Sequence, residues 1–440
     1  MQAMFGALAA HLDQALGAGE QYTAYFSGER SAFVRFNHGR VRQPGDVVQA
    51  SLAVRLVRDG RQARAVVPIS GEPSADRAEI DGALAHLRQL LPHLPRDPHL
   101  SLYTSSEVSH DEVLGDLPPA SDVLDVLLDA AAGTDLVGLL TSGPVFRGFA
   151  SSSGQRDWFG RAALHVDWSL VLADDKAVKD TLATAVFDEA ALRARIDAGR
   201  QALADLARPV VRKAPGAYRA WLTPGAAGEL LDMMSWDAFS ARELDARNSP
   251  LSRLRAREVT LDPRVGLTEA IEARGLPRFG ADGFPKPAAV PLIERGEMCG
   301  ALVSPRSAKE LSLTTTGAGS AENASALSMS AGELATPDAR RELGTGVWVS
   351  NLWYANWSDR TTARVTGMTR FATFWVEDGE VVGPLQAMRF DDSVYRMLGS
   401  GLLGLGDTVE DLPDVSSYGG RSLGGMASPG WLVDDFRLTL

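Results

Sequence analysis

Apolar residues recur along the first half of the chain at two periods, and the switches between them mark its elements. Leu8, Leu12 and Leu16 fall four apart and predict a helix over residues 5–16. Residues 22–36 and 47–57 alternate apolar with polar side chains, the period of a half-buried strand. The second run reaches Asp59-Gly60 and returns over 62–68. Asp-Gly tolerates positive φ at both central turn positions, so this is a tight hairpin. Ile80, Leu84, Leu87 and Leu91 predict an amphipathic helix over 75–94, stopped by Pro95 and Pro98. Residues 96–120 are rich in Pro, Ser, Asp and Glu and read as a loop or lid. A helix at 121–132, strands at 136–140, 145–150 and 162–172, and a long helix at 187–207 follow, with Asp188 near that helix's start and Pro209 past its end. Residues 1–209 therefore predict a mixed α and β domain, with helices at both ends of a mostly antiparallel sheet.

The pattern changes past Pro209, Pro215 and Gly216, which places a second domain at 217–440. A strand at 218–222 runs straight into a helix predicted to reach residue 239. Thr223 suits its N-cap and Pro224 its first helical position. Beyond residue 259 the pattern is strand and loop, with strands at 347–353, 361–366, 369–376, 381–386 and 432–440 and a second Asp-Gly hairpin at Asp378-Gly379. The expectation is an α+β chain whose C-terminal domain is β-rich and packs one main helix against its sheet. There is no internal repeat.

Composition narrows the function classes. The chain has 440 residues, 45% hydrophobic and 23% charged, ordinary for a soluble globular protein. A net charge of −12, with no block of basic residues, argues against nucleic-acid binding, because that affinity comes from Lys and Arg displacing counterions. Arg40 and Arg42, and the set Arg55, Arg58, Arg61 and Arg64, read as solvated strand faces. Cys299 is the only cysteine, which excludes an internal disulfide and fits a reducing compartment. It has Glu297 nearby and no histidine, so it reads as a buried thiol rather than a nucleophile. The N-terminal segment has no basic n-region, and no run approaches the roughly 18 apolar residues of a spanning helix. The expected setting is the cytoplasm, away from membranes.

All seven histidines lie at or before His165, so the second half has no imidazole to offer. Its candidate chemistry is carboxylate. Glu229, Asp232, Asp237 and Glu243 lie on or just after the main helix, and Glu229 shares a face with Asp232. Paired carboxylates do acid–base work when one is desolvated, although a solvated helix face is the favoured reading. Gly317-Ala318-Gly319-Ser320 lacks the Lys-Ser/Thr of a phosphate loop and reads as a mobile surface loop. Trp348, Trp353, Trp357 and Trp375 make an aromatic-rich sheet that fits a core or an interface equally well. Its strand edges suit an extended peptide, and Arg370 and Arg389 suit a carboxylate.

Several motifs carry a family resemblance. Asn356, Asp359 and Arg360 precede Thr366-Gly367-Met368-Thr369-Arg370, and Asp378-Gly379-Glu380 and Met388-Arg389-Phe390 follow in order. Phe33-Val34-Arg35-Phe36, the Arg55–Arg61 hairpin and Ala150-Ser151-Ser152-Ser153-Gly154 match more loosely. Together these resemble the TldD/PmbA family, once called modulators of DNA gyrase. In its catalytic branch, a helix in this strand-then-helix setting carries a zinc-binding HExxxH, and a cysteine near the C-terminus supplies a third ligand. By alignment, Asp232 and Trp236 fall at the histidine positions, Met233 at the glutamate, and Ser416-Ser417-Tyr418-Gly419-Gly420 in the cysteine stretch. The chain thus resembles the metal-free PmbA/TldE-type subunit. The resemblance implies no metal or cofactor in this chain and zinc on a TldD-like partner. It also implies a peptide or unfolded-protein substrate, with Asn356, Arg360, Thr366, Arg370 and Arg389 as groove residues. A peptide-binding scaffold and a self-contained hydrolase using Glu229 and Asp232 are the rivals. The gyrase label is a weaker third, because the acidic charge argues against direct DNA contact.

Overall fold

The computed structural model describes residues 1–173 and 176–440, which form two sheets. The first is built from β1 (Gln21–Asn37), β2 (Arg40–Arg58), β3 (Arg61–Pro68), β4 (Val108–Val113), β5 (Asp135–Ser151), β6 (Arg156–Val171) and β7 (Ala177–Thr184). Its strand order is β3-β2-β1-β5-β6-β4, with β7 also on β6, and every pairing except β4 with β6 is antiparallel. The alternation along β1 explains how this sheet is covered. Tyr22, Ala24 and Phe26 point to a core under the helices Gln2–Ala15 (α1) and Pro73–Leu90 (α2). Val34 and Phe36, further along, join a second core under Ala120–Ala130 (α3) and Glu189–Leu206 (α4). Each fully buried Phe or Leu there contributes about 2 kcal/mol of apolar burial. Helices at both ends of a mostly antiparallel sheet are thus observed. The opposite face of β1 carries Thr23, Tyr25, Ser27, Glu29 and Ser31, and this polar face looks toward the second half of the chain.

Four strand segments differ from the reading of the pattern, each for a local reason. β2 begins at Arg40, after a turn in which His38 (φ 52°) and Gly39 (φ 63°) are both left-handed. Its first residues are exposed on both faces and show no alternation. Residues 136–140 and 145–150 belong to one strand, β5, in which Gly143 (φ 135°) lets the Arg30 carbonyl approach where a Cβ would sit at 2.1 Å. β4 lies inside the segment read as loop or lid; it is almost wholly exposed and is held by pairing with the edge of β6. β7 had no apolar signal strong enough to mark it, and its side chains are mostly half-buried.

The second sheet contains β8 (Gly216–Leu222), β9 (Leu267–Glu269), β10 (Val290–Glu294), β11 (Glu297–Met298), β12 (Leu327–Met329), β13 (Gly346–Val349), β14 (Trp353–Asp359), β15 (Arg364–Met368), β16 (Thr373–Glu377), β17 (Glu380–Pro384), β18 (Arg389–Ser393), β19 (Leu402–Pro413) and β20 (Gly425–Leu438). β8 lies between β20 and β13. The main helix α5 (Pro224–Ser235) packs on β20, with Leu230, Leu231, Met233 and Met234 in the largest core of the protein. It stops at Ser235 rather than at residue 239, although Ala238 and Phe239 remain buried. β19 was missed because Gly404 and Gly406 interrupt it and its register against β20 shifts twice, which destroys the alternation. No helix among the described residues is long and apolar enough to cross a membrane.

Candidate functional site: an acidic cavity along the main helix

The start of α5 is fixed by its cap. The Thr223 hydroxyl accepts from the Ala226 amide and donates to the Ser350 carbonyl at 2.6 Å, and Pro224 opens the helix. Glycine at 228 then lets β19 lie against the helix, since a Cβ there would stand 1.9 Å from Leu412 Cδ1. Beside this contact opens a cavity of about 400 Å³. Glu229, Asp232 and Ser235 of α5 form one wall. Asp414, Ser416 and Ser422, from the loop joining β19 to β20, form the second. Lys179 and Thr181, on β7 of the first sheet, form the third. A second cavity of about 420 Å³ shares Asp414, Ser416 and Ser422 and runs over the polar face of the first sheet, past Ser27, Glu29, Gln49 and Arg147.

Three carboxylates, Glu229, Asp232 and Asp414, face one ammonium, Lys179, so the first cavity is acidic. Burial pushes the half-buried Glu229 carboxyl above its ordinary pKa, and Asp232 and Asp167 push it further, against the opposing pull of Lys179. Asp232 is open to solvent at the mouth but walled by protein behind, and that burial, with the charge of Asp414, raises its pKa too. A carboxyl held in this way keeps its proton to higher pH than a free one. Between its ordinary and its raised pKa, the folded state binds more protons than the unfolded chain. Stability from this source is therefore full at low pH and is lost as pH rises. We expect Glu229→Gln to raise the melting temperature at pH 8 and to leave it unchanged at pH 4; thermal unfolding at the two pH values checks this, and an equal shift at both would show that the carboxyl charge is not the cause.

The loop that forms the second wall is anchored by Arg421. This guanidinium is buried and donates to the Ala163 carbonyl at 2.5 Å, the Gly143 carbonyl at 3.0 Å and Ser31 Oγ at 3.2 Å. Burial lowers its pKa to about 10, and nearby Glu29 opposes that shift. Ser31 donates in turn to Glu29 at 2.7 Å, which also accepts from Gln49. The cavity wall of the second half is thus fastened to the first sheet.

The structure joins the two sequence-distant segments singled out above, since α5 and the stretch containing Ser416 face each other across the cavity. It also revises several expectations. Glu229 and Asp232 line a cavity rather than a plain solvated helix face. Met233, aligned above with the family's glutamate, is buried in the core. HExxxH separates its histidines by five residues, so the partner position of Asp232 is Asp237, and Trp236 is the residue before it. Trp236 is 46% exposed at the end of α5. Asp237 turns away to pair with Arg360 at 2.7 Å. Glu243 lies outside the cavity and pairs with Arg242.

The five groove candidates do not reach this cavity. Asn356 and Thr366 are register partners on β14 and β15, and Arg389 of β18 donates to Thr366 Oγ1 at 2.9 Å, so three of them form one cross-strand group. Arg370 stacks over Trp353 with its guanidinium carbon 4.6 Å from the ring centroid. Arg360 lines a separate cavity with Arg247 and Arg253. The tryptophans divide: Trp375 is buried and donates to Glu377, Trp348 packs on Trp221, and Trp353 is exposed beside Tyr354. Gly317 and Ala318 are buried while Gly319 and Ser320 are exposed, so their loop is at the surface but packed at one end. Cys299 is exposed, contrary to a buried thiol, because it follows the two-residue strand β11 at the sheet edge. Lys179, Asp414 and Asn351, which also lines the cavity, were missed. Lys179 sits on an unmarked strand, and the other two sit in loops whose position only the fold defines.

The donor set does not fit zinc. The cavity offers carboxylates, hydroxyls and one ammonium, where a zinc peptidase needs imidazole or thiolate ligands and a nearby base. No group of three or more His, Cys, Asp or Glu placed to hold a metal ion occurs among the described residues.

The chain is thus an α+β protein in which a helix of the second half walls a cavity. Residues 215–440 match the family model described as PmbA/TldA metallopeptidase C-terminal domain. That is 226 of the 440 residues, and the chain belongs to the TldD/PmbA family. Its fold is similar to that of TldE from Thermococcus kodakarensis, with a TM-score of 0.77 at 16% identity over 99% of this chain and 100% of the other. It is also similar to proteins proposed to modulate DNA gyrase. One is from Thermotoga maritima (0.75, 14%, 99% of each chain) and one from Bacteroides thetaiotaomicron (0.71, 15%, 100% of this chain and 99% of the other). No curated protein sequence matches the chain.

Proposed function

We propose that this chain is the non-catalytic subunit of a TldD/TldE-type heterodimeric metallopeptidase acting on peptides or unfolded proteins. The observation that carries this reading is the chemistry of one cavity. The segments that bear the zinc ligands in the family's catalytic branch face each other here, yet they present Asp232 and Ser416, with Asp237 paired to Arg360. In this reading the zinc belongs to the TldD-like partner, and this chain shapes the substrate chamber. The polar channel past Glu29, Gln49 and Arg147 suits an extended peptide, whose main-chain groups need hydrogen-bond partners throughout. The setting is cytoplasmic, in keeping with a single exposed cysteine.

A second reading has one observation in its favour. Glu229 and Asp232 are two carboxyls of raised pKa in a single cavity, the arrangement of a metal-free acid–base site. Association separates the two. Mixed with a zinc-bearing family member from the same organism, this chain is expected to co-elute as a 1:1 complex in size-exclusion chromatography. Separate elution at micromolar concentrations, together with hydrolysis by this chain alone that Glu229→Gln abolishes, would favour the second reading.

A further inference from the structure

Arg58 and Arg64 of the first hairpin are exposed, as their spacing suggests, but the Arg55 side chain is not. Arg55 and Arg64 are register partners on β2 and β3, so two like charges stand directly opposite each other on one sheet face. Such a pair is destabilising unless something negative lies between. That face is covered by the second half of the chain, which adds Arg306, and the three guanidinium groups line a cavity of about 350 Å³ together with His99, Asp282 and Ser320.

The protein does not satisfy these donors. The side chain of Arg55 is only 13% exposed, yet its bonds to Asp282 and to the Ser101 carbonyl are long, at 3.3 and 3.4 Å, and its Nε is buried without an acceptor. Asp97 is already committed: it binds Arg306 at 2.7 Å, Gln62 at 2.6 Å and the His99 amide at 3.0 Å. Arg64 has no hydrogen bond or ion pair among the described residues, although it lines the cavity. Arg55 pairs with Asp282, and Arg306 with Asp97 and Glu310, which leaves Arg64 as the guanidinium of this cavity without a carboxylate partner among the described residues. A buried Arg55 Nε without an acceptor and an unbonded Arg64 guanidinium, both lining one empty volume, favour an acceptor-only ligand.

We infer that this cavity, formed by β2 and β3 together with Arg306 and Asp282 of the second half, binds a small oxyanion. A carboxylate and a phosphate present the same chemistry to the fork of a guanidinium, two oxygens in one plane. The site is distinct from the acidic cavity, which has the opposite charge; Tyr25, packed edge-on against Phe279, lies on the same face between β2 and β5. Because residues from both halves contribute, an occupant would tie them together. The inference does not depend on pairing with another subunit.

Isothermal titration of the full chain with inorganic phosphate, with an N-acetyl dipeptide acid and with the corresponding amide tests it. We expect one of the two anions to bind with Kd below about 1 mM, the amide not to bind, and Arg64→Gln to weaken binding tenfold or more. Arg64 is exposed and unbonded, so this variant should fold normally, and its thermal unfolding without ligand checks that. Arg61→Gln, on the same strand but bonded to the Leu94 carbonyl outside the cavity, should leave binding unchanged. Phosphate alone binding would assign the site to phosphate or its esters; the acid alone binding would assign it to a carboxylate such as a peptide C-terminus. Binding of neither anion, or equal weakening by both arginine variants, would overturn the inference.

Discussion

Arg421→Met should cost about 3 kcal/mol of stability and should loosen both cavities at once. The side chain comes from the loop between β19 and β20 but makes its hydrogen bonds on the first sheet, to the carbonyls of Gly143 and Ala163 and to Ser31 Oγ. A hydrogen bond from a charged donor contributes about 1.5–3 kcal/mol, so three would suggest more. The buried Nε has no acceptor, which offsets part of that gain. Methionine keeps the apolar stem, so the loss reports the guanidinium. It also removes the charge facing buried Glu29, which then sits near no arginine of that loop. Urea unfolding at neutral pH measures the stability change. Proteolysis of the loop carrying Asp414 and Ser416 should accelerate in the variant. A loss below about 1 kcal/mol, the scale of an ordinary surface hydrogen bond, with unchanged proteolysis would show that the anchor is not structural.

The second large effect is acid sensitivity through His165. This histidine is 7% exposed on β6, and burial, assisted by the charge of Arg421, lowers its pKa to about 3. In the unfolded chain it titrates near its ordinary value of 6.5. Between those values the unfolded state binds the extra proton. Its contribution is therefore intact above pH 6.5 and falls with pH by about 1.4 kcal/mol per unit. Glu229 and Asp232 act with the opposite sign, because their folded pKa values are raised. The informative quantity is thus the difference between wild type and His165→Leu. Across pH 7, 6, 5 and 4 the wild type should lose unfolding free energy more steeply than the variant as pH falls. Parallel curves would show that His165 is not held neutral by burial.

The two effects meet at the place where the sequence was least legible. The helices were readable because their stripes are long: Ile80, Leu84 and Leu87 are all fully buried, as their spacing implies. Asp188 caps α4 and Thr223 caps α5, as their residue types suggest. The strand-then-helix setting of α5 was legible too. The cavity beside it was not. Its third wall comes from β7, whose side chains give no alternation, and its second from a loop whose place depends on one arginine crossing to another sheet. A strand period shows which residues share a face, but not what covers that face. The pattern therefore shows Arg55 on a solvated face, although the second half of the chain lies against it and leaves its side chain 13% exposed. The groove candidates Asn356, Thr366 and Arg389 do come together, but across strands remote from the cavity lining.

This chain is proposed to complete a peptidase without carrying its chemistry. The most direct measurement is hydrolysis of a denatured protein by three preparations: this chain alone, a zinc-bearing family member from the same organism alone, and the two mixed. The account predicts no cleavage by this chain, and a gain in the mixture of tenfold or more over the metal-bearing protein, abolished by a chelator. Cleavage by this chain alone, or a mixture no more active than the metal-bearing protein, would contradict it.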